Sequence, residues 1–160
     1  YVMEFMGACI ILAIVGVIVV GFILFRDRVS NDVASLVADE CFDKPAAGAT
    51  EVSAVQRQPC NEPHDAEVFA LITDPAAGAA AYPVLDSHFQ DIAIEQCLPA
   101  AQAYLGAALQ SRTDLDAGYF YPTRESWGNG DRGLTCYLYR IDGQKLTSSL
   151  RGTGASAPPS

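Results

Sequence analysis

The chain begins with one long stretch of apolar residues. Every residue from 5 to 25 is apolar or glycine, and none is charged. About 20 such residues cross the roughly 30 Å hydrocarbon core of a bilayer as a helix. The stretch is also longer than the apolar region of a cleaved signal peptide, which has about 7 to 15 residues. The pattern therefore predicts an uncleaved transmembrane anchor within residues 1–28.

Small side chains form one stripe along this predicted helix. Cys9, Ala13 and Gly16 follow one another at helical spacing, so another helix can pack closely against them. Glycine is common in membrane helices, and ordinary composition gives the same stripe. A specific helix partner and a chance arrangement are both compatible with it.

The pattern after residue 28 is that of a short tether, 29–38, and a small mixed domain, 39–150. Alternating or continuous apolar runs predict strands at 39–43, 51–58, 66–73, 118–121 and 134–141. Asp142 and Gly143 predict a type I′ turn that returns the chain through 144–150 as a hairpin. The polar residues 151–160 have nothing to bury, so we expect a disordered tail.

Helical periodicity separates the third strand from the fourth. Apolar residues recur on one helix face, namely Phe89, Ile92, Ala93 and Cys97, followed by Ala101, Leu105, Ala108 and Leu109. Ser87, with Gln90 three residues on, predicts a capping box. Pro99 lacks a backbone N–H and should end or kink the helix. The predicted fold class is therefore α+β, with an antiparallel sheet and one or two packed helices.

The cysteines predict the compartment of this domain. Half of the 160 residues are hydrophobic, but many of these lie in the predicted anchor or are alanine. Few large apolar side chains remain to build a core, which excludes a two-domain enzyme. Four cysteines lie outside the anchor: Cys41, Cys60, Cys97 and Cys136. An even number in so small a domain indicates disulfides, hence the extracytoplasmic side of the cell membrane. Arg26 and Arg28 conflict with this orientation under the positive-inside rule.

Three disulfide pairings are possible for four cysteines. We favour Cys41 with Cys60 and Cys97 with Cys136, because each bridge joins elements in the same half of the domain. The alternative is a zinc site that uses these thiols together with His64.

The net charge narrows the range of partners. Residues 29–160 contain 17 acidic and 8 basic side chains, a balance of −9. Anionic lipid surfaces and nucleic acids repel such a domain. We therefore expect protein or small-molecule partners and no nucleic acid.

Two motifs lie between the cysteines in a fixed order. One is Pro63-His64-Asp65-Ala66-Glu67-Val68, and the other is Trp127-x-x-Gly130-Asp131-Arg132. With the four cysteines, these motifs resemble the extracytoplasmic domain of the septum formation family over residues 39–141. The resemblance implies a membrane-anchored, disulfide-containing envelope protein of high-GC Gram-positive bacteria, and it implies no established chemistry. Glu40 departs from the family pattern, which places the local turn geometry in question.

The motif residues allow two interpretations. His64, Asp65 and Glu67 together suggest a divalent-metal or acid–base site. We favour a structural role in which His64 and Asp65 cap a strand and hydrogen-bond loop amides. Trp127 is either a core residue or an anchor facing a partner. Asp131 and Arg132 are expected to form an ion pair or a hydrogen-bonding corner that positions Trp127.

Two functions from different classes follow from these patterns. The favoured one is a non-catalytic, single-pass membrane-anchored accessory or adaptor subunit without a cofactor or metal. Its helix and extracytoplasmic domain would bind a larger envelope membrane complex, either the division machinery or a respiratory or transport complex. The alternative is an extracytoplasmic metal-dependent enzyme or sensor that uses His64, Asp65 and Glu67.

Overall fold

The computed structural model of the chain describes residues 30–45, 52, 54–76, 78, 81–84 and 87–154. The predicted anchor, with Cys9, Ala13 and Gly16, lies outside these residues. None of the helices in the described part has the length and apolar character of a membrane span.

The described strands form one antiparallel sheet. They are β1 (Ser30–Asp32), β2 (Cys41–Asp43), β3 (Ala54–Gln58), β4 (Ala66–Thr73), β5 (Leu115–Phe120) and β6 (Gly133–Arg140). Their spatial order is β1-β3-β2-β4-β6-β5, so β1 and β5 are the two edges. The predicted α+β class with an antiparallel sheet is confirmed.

One long helix, α1, covers residues 88–105 and packs against β4 and β6. It consists of an α-helical turn (His88–Ile92), a wider π-helical turn (Ala93–Cys97) and a second α-helical part (Leu98–Leu105). Pro99 does not end the helix. Leu98 donates its N–H to the carbonyl of Ala93, five residues back, and this wider turn carries the chain past the residue that has no N–H.

The predicted capping box at Ser87 is wrong. Ser87 adopts a helical conformation and its side chain makes no capping hydrogen bond. A capping box occurs instead at the short helix α2 (Arg124–Gly128), where Thr123 and Ser126 each accept a hydrogen bond from the other's backbone N–H.

The two faces of the sheet cover separate cores. The helix-facing core includes Phe69, Phe89, Leu105, Trp127 and Leu134, all almost fully buried. The opposite core consists of Val33, Leu36, Phe42, Val55, Ala66 and Val68. A bulge in β4 between Val68 and Ala70 lies where the chain shifts register against β6.

The segment 29–38 is not a free tether from Ser30 onward. Ser30–Asp32 pairs with β3, and a 3₁₀ turn follows at Val33–Ser35. Val33 and Leu36 are buried in the second core, where they cover apolar side chains on the face of the sheet opposite α1. Burial of two apolar side chains outweighs the polar character on which the prediction depended.

The predicted hairpin after β6 is wrong. A type I′ turn needs a positive φ at both central residues, but of Asp142 and Gly143 only the glycine has one, at 74°. The chain crosses to the start of β4 instead, where His64 and Leu146 exchange two backbone hydrogen bonds of 2.9 and 2.8 Å.

Part of the predicted disordered tail is ordered. The N–H groups of Gly152 and Gly154 donate to the carbonyls of Tyr104 and Leu105, at 2.9 and 2.7 Å. These bonds fasten residues 151–154 to the end of α1, whose last carbonyls have no intrahelical partner. Residues 155–160 lie outside the described part.

Two disulfides link the elements of the domain. Cys41 pairs with Cys60, and Cys97 pairs with Cys136, which is the favoured pairing. The first ties β2 to the loop after β3, and the second ties α1 to β6. In the chain-entropy model, a disulfide that closes a loop of this length stabilises the fold by about 3 to 4 kcal/mol.

Candidate functional site

A carboxylate is buried between the sheet and the helix. Glu67 on β4 has no exposed surface. It accepts hydrogen bonds from the Tyr104 hydroxyl of α1, from the Ser149 hydroxyl at 2.5 Å and from the Leu150 N–H at 2.7 Å. Three donors offset the desolvation of one buried carboxylate. Glu67 therefore fastens the C-terminal segment to the sheet and the helix.

Tyr104 extends this network toward the surface. Its hydroxyl also lies 2.9 Å from Oδ1 of Asp39, and burial together with Glu67 raises the pKa of the phenol well above its usual range. Arg151 binds the same Asp39 oxygen, with its Nε at 2.9 Å, and its guanidinium lies over the Tyr104 ring. The hydrogen bonds from Arg151 and Tyr104 lower the pKa of Asp39.

His64 lies beside this network and is fully buried. Its Nδ1 is 2.7 Å from the backbone carbonyl oxygen of Glu62. A carbonyl only accepts, so Nδ1 carries the proton and donates it. Nε2 has no hydrogen-bond partner among the described residues. One imidazole nitrogen, one Glu67 carboxylate oxygen and Cys41 Sγ lie within 4.8 Å of one another.

The predicted trio of His64, Asp65 and Glu67 is only partly assembled. His64 and Glu67 come together, whereas Asp65 accepts the N–H of Lys44 at 2.9 Å and lies 3.1 Å from Nζ of Lys145. Asp65 precedes β4 and remains partly exposed in the connecting loop. Cys41, bound in a disulfide, takes its place in the buried cluster.

Trp127 lies in the core of the domain, with 2 % of its surface exposed. The Arg132 guanidinium lies 3.8 Å from the centre of the indole ring and donates to the Trp127 carbonyl at 2.6 Å. Oδ1 of Asp131 accepts the N–H of Gly133 at 3.0 Å. Asp131 and Arg132 thus form a corner between α2 and β6 that holds Trp127.

An aromatic surface lies at the end of β5. Its residues are Tyr82, Tyr119, Tyr121 and Arg124, which we call the Tyr121 surface, and they line a cleft of about 510 Å³. The Tyr121 side chain is 54 % exposed, and its ring stacks on Phe89 at 4.9 Å. The Arg124 guanidinium lies 4.7 Å from the centre of the Tyr82 ring.

The edge of β5 that has no paired strand among the described residues continues this surface. The N–H groups of Leu115 and Ala117 bond to Arg112 and to the Asp116 side chain, so odd-numbered residues of β5 turn their backbone away from β6. Tyr119 shares that orientation. A shallow groove of about 190 Å³ separates this edge from α1, and Ile94 of α1, 52 % exposed, lines it.

The sequence analysis named Glu67 but missed its partner Tyr104. Tyr104 lies three residues after Ala101 on the buried face of the helix, and Glu67 lies inside the apolar run Ala66–Phe69. A hydroxyl and a carboxylate on two core-facing elements are a signal for a buried hydrogen bond. The chain carries no comparable signal for Ser149 or Arg151, because their loop is not periodic.

Fold and site together define a small α+β module that two disulfides stabilise and that carries one buried carboxylate network. The model of the septum formation family matches residues 38–157. The chain therefore belongs to the septum formation family. No curated protein and no solved structure matches it.

Proposed function

We propose that this chain is a non-catalytic, single-pass membrane-anchored accessory or adaptor subunit. Its apolar helix and its extracytoplasmic domain bind a larger membrane complex of the envelope, either the division machinery or a respiratory or transport complex. The observation that carries this proposal is the Tyr121 surface.

This surface has the composition of a protein-binding site. Tyrosine and arginine are enriched among the residues that dominate binding energy at interfaces. Tyr121 exposes half of its side chain, yet its stack on Phe89 holds the ring in place. A ring that is already fixed loses little side-chain entropy when a partner covers it.

The neighbouring sheet edge adds a second means of recognition. Backbone groups of an unpaired edge strand pair with an extended segment of another protein, while side-chain pockets select its sequence. At β5 the backbone of Tyr119 faces outward, beside the groove that Ile94 lines. An extended apolar segment of a membrane-complex subunit fits both features.

The N-terminal end of the domain supports attachment close to a membrane. β1 begins at Ser30, only two residues after Arg28, and is already paired with β3. If residues 5–25 form the anchor, almost no free chain separates it from the sheet. Such a domain stays within reach of the membrane-proximal surface of its partner.

The alternative metal-dependent enzyme or sensor has less support from the geometry. His64 and Glu67 are both fully buried, so a substrate has no direct path to them. Asp65 is occupied by Lys44 and Lys145 outside the cluster.

The proposal is tested by native extraction. The full chain, expressed in its source membranes, is solubilised with a mild detergent and separated on a native gel, and its co-migrating subunits are identified by mass spectrometry. We expect stable co-migration with integral membrane subunits, and we expect Tyr121→Ala to abolish it.

The matched control is Ile141→Ala. Ile141 is 59 % exposed and lies just beyond β6, at the end of the β5–β6 pair away from Tyr121. This variant should keep the complex intact. A wild-type chain that migrates alone, or equal loss in the two variants, would contradict the proposal.

A further inference from the structure

The Cys41–Cys60 disulfide lies against two buried groups that are suited to bind a metal. Cys41 Sγ, an imidazole nitrogen of His64 and a carboxylate oxygen of Glu67 lie within 4.8 Å of one another. Cys60 Sγ is bonded to Cys41 and therefore adjoins the same cluster. Cysteine, histidine and carboxylate are the ligand types that zinc uses in proteins.

His64 already has the arrangement of a metal ligand. Metal-binding histidines usually donate one ring N–H to a carbonyl or carboxylate, which fixes the tautomer and presents the other nitrogen. Nδ1 of His64 donates to the Glu62 carbonyl at 2.7 Å, and Nε2 is buried without a partner in the described residues. An unpartnered buried nitrogen costs free energy, and a metal ion would satisfy it.

Glu67 is held in the same manner. Tyr104, Ser149 and Leu150 fix both carboxylate oxygens by hydrogen bonds. These donors leave lone pairs on the carboxylate, since each oxygen has two. Outer partners of this kind orient a carboxylate ligand.

We propose that reduction of the Cys41–Cys60 disulfide converts this cluster into a tetrahedral zinc site. The ligands are Cys41 Sγ, Cys60 Sγ, Nε2 of His64 and one oxygen of Glu67. Ligand atoms around a tetrahedral zinc lie roughly 3.5 Å apart. Cys41 Sγ, one ring nitrogen of His64 and one oxygen of Glu67 already lie within 4.8 Å of one another, so only a small adjustment of these side chains is needed. The site goes beyond the proposed adaptor function and does not depend on it.

The redox step balances with a dithiol as the reductant. The dithiol passes two electrons and two protons to the Cys41–Cys60 bond and itself becomes a disulfide. The S–S bond breaks, two thiols form, and Zn²⁺ binds them as thiolates while two protons leave to solvent. The domain thus has an oxidised form closed by a disulfide and a reduced form closed by a metal.

The accessibility of the two disulfides makes the step selective. Cys60 is partly exposed, whereas Cys97 and Cys136 are 3 % and 0 % exposed. A reductant therefore reaches Cys60 first. Alkylation of the released thiols, followed by peptide mass spectrometry, identifies the bond that was opened.

Cobalt(II) is the probe for the test. The full chain in mild detergent is treated with one equivalent of a water-soluble phosphine, which becomes the phosphine oxide as it reduces the disulfide, and is then titrated with Co²⁺. We expect about one cobalt per reduced chain, with thiolate-to-cobalt absorption and the intense visible bands of a tetrahedral site, and none in the oxidised chain. A reduced, folded chain that takes up no cobalt would overturn the proposal.

Two histidine variants separate this site from binding by thiols alone. His64→Gln should weaken cobalt binding by more than the roughly 10- to 100-fold that loss of an outer partner costs. His88→Gln is the control, because His88 pairs with Asp74 at 2.7 Å far from the cluster and should leave binding unchanged. Equal effects of the two variants, or none from His64→Gln, would contradict the assignment.

Folding of the reduced chain and of the variant needs its own measurement. If reduction lowers the far-ultraviolet circular dichroism, added zinc must restore it, and failure to do so counts against the site. If His64→Gln does not fold, the zinc X-ray absorption spectrum of the reduced wild-type chain identifies the ligands instead. Two sulfurs at about 2.3 Å and two nitrogen or oxygen ligands at about 2.0–2.2 Å are expected, and a first shell without sulfur excludes the site.

Discussion

Tyr104 and Tyr121 carry the same side chain in opposite surroundings. The Tyr104 hydroxyl is buried and contacts two carboxylates, Glu67 and Asp39, and its ring is covered by Arg151. The Tyr121 ring is half exposed, and its contacts are the rings of Phe89 and Tyr119. Both residues depend on α1, which provides Tyr104 itself and the Phe89 that supports Tyr121.

The difference separates stability from binding. Around Tyr104 every polar atom of Glu67 has a donor, so a partner protein has nothing to add there. Around Tyr121 there is exposed apolar ring surface, and the adjoining edge of β5 has no partner strand in the described part of the chain. We therefore expect substitutions in the Glu67 network to lower stability without changing affinity, and substitutions in the Tyr121 surface to do the reverse.

The largest expected effect comes from removal of the Cys97–Cys136 disulfide, because α1 supports both tyrosine regions. Cys97→Ala combined with Cys136→Ala removes the covalent link between α1 and β6 and should lower the free energy of unfolding by about 4 kcal/mol, since the closed loop spans 39 residues. Removal of Cys41–Cys60, with a separation of 19, should cost about 3 kcal/mol. Urea unfolding measures both. A smaller loss for the α1 bridge than for Cys41–Cys60 would show that α1 does not hold the two regions together.

The next effect isolates the buried network. Glu67→Ala leaves the Ser149 hydroxyl and the Leu150 N–H without their acceptor, while the Tyr104 hydroxyl keeps Asp39, and should lower the unfolding free energy by about 3 kcal/mol. Glu95→Ala, on an exposed position of α1, is the control and should stay within about 0.5 kcal/mol of wild type. Affinity of the folded Glu67→Ala protein for its membrane partner should be unchanged. A matching loss of affinity would mean that the network contributes to the interface.

Tyr104 gives the network a pH signature. Its raised pKa means that the folded state keeps the phenolic proton after the unfolded chain, with a tyrosine pKa of about 10, has lost it. The contribution of Tyr104 is therefore complete below pH 10 and is lost as pH rises further. Tyr104→Phe should cost about 1 to 2 kcal/mol at pH 7 and show a flatter decline in stability above pH 10. Parallel declines in wild type and variant would exclude this linkage.

The smallest effect concerns the exposed region. Arg124→Ala removes the guanidinium from the Tyr82 ring and should weaken partner binding by about fivefold, equal to roughly 1 kcal/mol. Arg124→Lys should recover only part of the loss, because an ammonium does not stack as a planar guanidinium does. Both should leave the unfolding free energy within about 0.5 kcal/mol. Affinity is measured by titration of the purified partner. If Arg124→Lys binds as tightly as wild type, Arg124 contributes only its positive charge.

The sequence predicted the elements whose pattern is set by burial. The apolar run 66–73 coincides with β4, and the helix face of Phe89, Ile92, Ala93 and Cys97 is buried as expected. These two features depend on local periodicity, which a single chain displays directly. The favoured cysteine pairing depended instead on the position of each cysteine in the same half of the domain as its partner, and it is confirmed.

The elements that were mispredicted depend on distant contacts. Residues 30–36 join the sheet because Val33 and Leu36 pack on the face opposite α1. Residues 144–154 cross to His64 and Glu67 rather than follow β6. Spacing alone grouped Asp65 with Glu67. In the structure Asp65 forms an ion pair with Lys145, 80 positions later in the chain, and lies outside the buried cluster. No local pattern records a partner so far away in sequence.

The curvature of the sheet brings its two edges toward one another. β1, which follows the predicted anchor, and β5, which borders the Tyr121 surface, are opposite edges of a six-stranded sheet. Even so, Asp32 and Val33 line one cleft of about 490 Å³ together with Phe120 and Tyr121. If residues 5–25 form the anchor, a partner that binds the Tyr121 surface also lies beside the strand that leaves the membrane, so its docking segment must approach close to the bilayer.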